Sequence, residues 1–140
     1  MESEAILLDT LKNWNYLKGY IKRLETSLQE SDYKITTSYS DTKCFSSGMN
    51  ISKVESYCFS QLETKNEIRD IKKRMELCRW AYRTTNMTEE ERLTIYYTKT
   101  GKSLLQLSKH LNVAQAKIYR IRDRAVKKMF LKIQNGVNNR

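Results

Sequence analysis

Apolar positions near the start of the chain recur with a seven-residue period at Leu7, Trp14, Ile21 and Leu28. Leu17 and Leu24 fill the intervening position, with Thr10 as its weak member and Leu11 beside it. Such spacing puts these residues on one stripe of an α-helix, and it predicts a helix from about Glu4 to Gln29. Lys12, Lys18, Lys22, Arg23 and Glu25 fall off the stripe. Gly19 lies inside the helix and weakens it by roughly 1 kcal/mol relative to alanine. A second run, Ile51, Val54, Cys58, Leu62, Ile68, Ile71, Met75, Cys78 and Tyr82, is spaced mostly by three and four. It predicts a long helix over about 51–83, capped by Asn50 or Ser52 and interrupted in its stripe by Gln61 and Lys65. Residues 31–50 between them have no period. Their Ser- and Thr-rich stretch TTSYSDTKCFSSGMN predicts a long polar loop. A helix with one apolar stripe must pack on something. The two long helices form a hairpin within the chain, or a coiled-coil-like seam with a second chain; the pattern leaves both open.

The pattern changes after residue 87. Thr88, Glu89, Glu90 and Glu91 predict a capping box, in which Thr88 caps and Glu91 reaches back. Leu93, Tyr96 and Tyr97 give this short helix its apolar face, and Thr98–Gly101 breaks it. Ser103 caps a second helix from Leu104 to about Leu111. Asn112 tolerates a left-handed turn, and a last helix runs from about Ala114 past Met129. Residues 135–140 are expected to fray. The predicted fold is all-α: an N-terminal helical region over 1–83, then a helix-turn-helix module over 87–134.

Charge is concentrated in the same place. Residues 101–140 hold ten Lys/Arg and a single acid, Asp123, so they carry +9 of the formal +10. A basic block of this size implies a polyanionic partner. Within it, SLLQLSKHLNVAQAKIYRIRDRA has the helix-turn-helix pattern. Ser108 is small where the two helices must cross, Asn112 turns the chain, and Leu104, Leu107, Leu111, Val113, Ile118 and Ile121 point inward. Gln115, Ala116, Tyr119 and Arg120 share one face of the last helix, opposite Ile118 and Ile121. Gln can pair with adenine, Arg with guanine, and Ala can touch a thymine methyl, so these four are the candidate base readers of double-stranded DNA. Tyr119 can equally contact phosphate or cover the helix junction. Lys102, Lys117, Arg122, Arg124, Lys127 and Lys128 are the candidate phosphate contacts, which position without reading sequence.

Met87 to Phe130 resembles the helix-turn-helix region of bacterial sigma factors that reads the −35 promoter element. The likeness lies in TEEER, YYTKTGKSLLQLSKHLNV and IYRIRDRAVKKM. The arrangement of the whole chain, with KNWNYLKGYIKRLE near its start, is similar to ArpU-like and RinA-like regulators of phage late genes. The resemblance implies a transcription activator working in the cytoplasm of a bacterial host. It places Gln115, Ala116, Tyr119 and Arg120 where sigma-like modules meet base edges. Members often carry Arg, Ser or Glu where this chain has Ala114, Gln115 and Ala116, which leaves the target sequence open.

Composition supports this class. Four Gly and no Pro disfavour an all-β fold, and no run approaches 18 apolar residues, so no membrane span is expected. The acidic opening MESEAILLDTLKNW is unlike a secretory signal. Cys44, Cys58 and Cys78 form no CxxC pair, and His110 stands alone, so neither a metal site nor a disulfide framework is expected. There is no Gly-rich phosphate loop and no nucleophile motif, so neither an enzyme nor a cofactor is expected. A reading of a different class is a helical adaptor that binds RNA polymerase or another protein, with DNA contact secondary. The heptad seam motivates self-association as a homodimer.

Overall fold

The computed structural model describes the backbone of residues 2–41 and 49–138, and side chains within 2–30 and 55–136. Among the described residues every element is helical: α1 (Glu4–Lys12), α2 (Trp14–Asp41), α3 (Met49–Thr84), α4 (Glu89–Thr100), α5 (Leu104–Leu111) and α6 (Gln115–Asn138). None of these helices is long and apolar enough to cross a membrane. The chain divides into two compact units, Met1–Leu17 with Lys73–Arg140, and Lys18–Lys72.

Three expectations are corrected. The first helix is two helices separated by Asn13, which leaves helical geometry at φ −102°, ψ 19°. Its Nδ2 donates to Asp9 O at 2.9 Å, beside the backbone bond that Asn13 N makes to the same oxygen at 3.0 Å. The polar loop expected from residue 31 begins as helix, since α2 continues to Asp41 and α3 already starts at Met49. Ser and Thr are only mildly unfavourable in helices, so their number alone does not end one. Residues 42–48 of that expected loop lie outside the described residues. Finally, α6 runs through Asn138, past the end of the module expected at 134; residues 139–140 lie outside the described residues. Within α6, Gly136 passes close to Trp80, where an added Cβ would sit 2.7 Å from the ring.

The first unit is built from both ends of the sequence. α1 packs against α4 and α6, and α4 and α5 pack against α6. Leu7, Leu11 and Trp14 are buried here, with Met75, Cys78, Ala81, Ile95, Val126, Met129 and Ile133. The break between the two halves expected near 83–87 therefore does not coincide with the division of the structure. The helix-turn-helix pattern shows only the contacts internal to 87–134, whereas the stripe on α6 is longer and needs a further cover. Since Leu7 and Trp14 are buried within one chain, this end of the heptad seam has no surface left for a second chain. Thr10, Thr94 and Thr98 are buried too, and each hydroxyl donates to a carbonyl four residues back, at 2.7, 2.7 and 2.9 Å. No buried hydroxyl among these three is left unpaired.

In the second unit, Ile21, Ile68 and Ile71 are buried. Tyr20 Oη donates to Glu67 Oε1 at 2.7 Å, and Lys72 Nζ lies 2.6 Å from Glu25 Oε1. These two links tie α2 to α3.

Candidate nucleic-acid interface

The site is set by four short-range devices. Thr88 Oγ1 accepts from Glu91 N at 3.3 Å, which starts α4. Gly101, at φ 75°, ends it and lets Lys102 N donate to Tyr97 O at 3.0 Å. Ser103 Oγ then accepts from Gln106 N at 3.4 Å to start α5. Asn112 follows α5 in the left-handed conformation, φ 55° and ψ 46°, and Val113 N donates to Ser108 O at 3.0 Å. Thus three residues, 112–114, turn α5 into α6.

Burial fixes the rotation of α6 about its axis. Leu107, Ile118 and Ile121 form one buried cluster, covered by Leu93, Tyr97, Leu104, Leu111 and Val113. Ser108 is buried, and its hydroxyl donates to Leu105 O at 2.7 Å, so the small polar residue at the crossing is satisfied within α5. With Ile118 and Ile121 held inward, Gln115, Ala116, Tyr119 and Arg120 are all exposed together on the outer face. Gln115 Nε2 donates to Tyr119 Oη at 3.3 Å, so two of the four already touch.

The six candidate phosphate residues divide into two sets. Lys102, Lys117, Arg124 and Lys127 are exposed. Helical geometry places Arg124 and Lys127 on the same stripe as Arg120. Lys102 Nζ also lies 5.2 and 5.4 Å from the ring centres of Tyr96 and Tyr97. Arg122 and Lys128 are placed otherwise. The Arg122 side chain is only 14% exposed, with its guanidinium 5.0 Å from the Tyr119 ring centre. It lies against Tyr119 beneath the outer face of α6. Lys128 Nζ is held 2.8 Å from Glu91 Oε1, and the Glu91 side chain is 2% exposed. Glu91 thus does not reach back to its own helix start, as the capping box predicted; it turns inward and pins α4 to α6.

Sequence reasoning missed Arg92. Its two terminal nitrogens donate to Tyr82 O at 3.0 Å and Thr85 O at 2.9 Å, and its guanidinium lies 5.5 Å from the Tyr82 ring centre. It ties α4 to the end of α3. No local signal marks such a role, because both acceptors are backbone carbonyls. The inward turn of Glu91 did have a signal: it shares a face with Thr94, Ile95 and Thr98, all buried. His110 is exposed on the last turn of α5.

Cys78 is buried on α3, and burial pushes its thiol up from 9.0 to about 12, against the smaller opposing pull of Lys99 and Arg74. Cys58 is exposed. No group of three or more His, Cys, Asp or Glu able to hold a metal ion occurs among the described residues. Comparison with protein-family models, with curated proteins and with solved structures finds no match for this chain.

Proposed function

We propose that this protein binds double-stranded DNA in a sequence-specific way through α5 and α6, as a regulator of transcription. The observation that carries the reading is the outward face of α6. Gln115, Ala116, Tyr119 and Arg120 are exposed side by side, while Ile118 and Ile121 are buried beneath them. A helix used only for packing has no reason to gather an amide, a phenol and a guanidinium on its free face. The cations around it, Lys102, Lys117, Arg124 and Lys127, would meet phosphates on either side of a groove. In this reading the protein is an activator of phage or prophage late genes of the ArpU-like and RinA-like kind, acting in the host cytoplasm.

Selection of genomic fragments with the purified full chain, followed by binding titrations on the selected site, tests this. Affinity for DNA should fall steeply as salt rises, since several cations displace counterions. Arg120→Ala or Gln115→Ala should cost about 1–3 kcal/mol on the selected site and little on random DNA. Equal losses on both DNAs would remove these residues from the base-reading role. If no fragment is enriched and binding to RNA polymerase persists at high salt, the adaptor reading takes its place.

A further inference from the structure

α3 has two faces within the second unit, and among the described residues only the inner one carries buried apolar side chains. Ile68 and Ile71 lie on the inner face and are buried; Tyr57, Gln61 and Thr64 share that face and are half-buried. On the opposite side, a stripe spaced by four and three runs through Glu55, Phe59, Leu62, Asn66 and Arg69. Phe59 is 63% and Leu62 55% exposed, the two most exposed large hydrophobics described in this unit. Isolated exposed apolar residues are ordinary on a protein surface. Two adjacent ones on a heptad-spaced stripe, closed by an acid at one end and a base at the other, are a short coiled-coil seam without its second strand.

We propose that this face of α3 is where a second copy of the chain docks, antiparallel to the first. The distribution of charge selects both the occupant and its direction. With the strands antiparallel, Phe59 of each copy packs on Leu62 of the other. Glu55 of each then faces Asn66 and Arg69 of the other. The Arg69 guanidinium is already drawn to that level, because its Nη2 donates to Asn66 Oδ1 at 2.8 Å. A parallel arrangement would instead set Glu55 against Glu55 and Arg69 against Arg69. The same stripe is thus self-complementary in one direction and self-repelling in the other, as a two-fold interface requires. The seam is short, so the association is weak, and it does not depend on DNA.

Sedimentation of the full chain without DNA, across a micromolar-to-submillimolar series, tests the proposal independently of the DNA-binding reading. Self-association with a single monomer–dimer equilibrium is expected. Leu62→Glu should abolish it. Glu55→Arg and Arg69→Glu should each weaken it by about 5–30-fold, because each puts like charges together at both ends of the seam. An equimolar mixture of these two variants should recover association, since the introduced base of one variant then meets the introduced acid of the other. Misfolded chains would not produce that recovery. A chain that stays monomeric throughout, association unmoved by Leu62→Glu, or a mixture no stronger than its separate components would each overturn the proposal.

Discussion

At the scale of single residues, the pair Glu91–Lys128 joins α4 to α6 in the first unit. A carboxylate with 2% exposure is costly unless matched, and Lys128, at 38%, is its match. The two partners are therefore not equivalent. Lys128→Met strands a buried charge and should cost about 2–3 kcal/mol, below the range for a wholly buried pair because Lys128 reaches water. Glu91→Gln leaves a lysine that can turn to solvent, and should cost about 1 kcal/mol. Urea unfolding of the two variants checks the order. Cys78 makes a second residue-level prediction. Its thiol ionises near 12 when folded against 9.0 ordinarily, so the unfolded chain releases this proton first. The corresponding stability is present below pH 9.0 and is lost as pH rises toward 12. In a Cys44→Ser background at pH 8, a thiol reagent should modify exposed Cys58 quickly and Cys78 only on unfolding.

At the scale of elements, the turn between α5 and α6 depends on one residue with positive φ, Asn112. A β-branched side chain is strained there, so Asn112→Val should cost about 1–3 kcal/mol, whereas Asn112→Gly should change stability little. The glycines of α2 and α6 give a matched comparison. Nothing lies within 4 Å of a Cβ added at Gly19, while one at Gly136 meets the Trp80 ring at 2.7 Å. Gly19→Ala should stabilise by about 0.5–1 kcal/mol, and Gly136→Ala should not, which thermal unfolding resolves. These elements also show what could be read beforehand. Ser103, Leu104 to Leu111, Asn112 and the inward Ile118 and Ile121 were legible, because caps, turns and a 3.6-residue period act within a dozen residues. The break at Asn13 and the helix through residues 31–41 were not. The first is a change of backbone angles at one polar residue, which no period marks, and the second rests on propensities too weak to decide alone. On α6, the exposed face was legible from its period, but the withdrawal of Arg122 and Lys128 depends on partners that period cannot show.

At the scale of the whole molecule, the first unit takes residues from both ends of the chain. Leu7, Leu11 and Trp14 are buried in it alongside Met129 and Ile133. A fragment of residues 84–140 lacks α1 and should lose most of its cooperative unfolding transition by circular dichroism. Adding residues 1–17 through a flexible linker should restore part of it. A fragment as stable as the full chain would show that α1 is dispensable. The arrangement also has a consequence for synthesis. A ribosome releases α1 early, yet the surfaces of α4 and α6 that it packs against come much later in the chain. Until then the apolar side chains of α1 stay in water, and contacts so distant in sequence form slowly. A message cut short before α6 therefore yields a chain without a finished core. Incomplete copies would leave these apolar side chains uncovered, which favours aggregation.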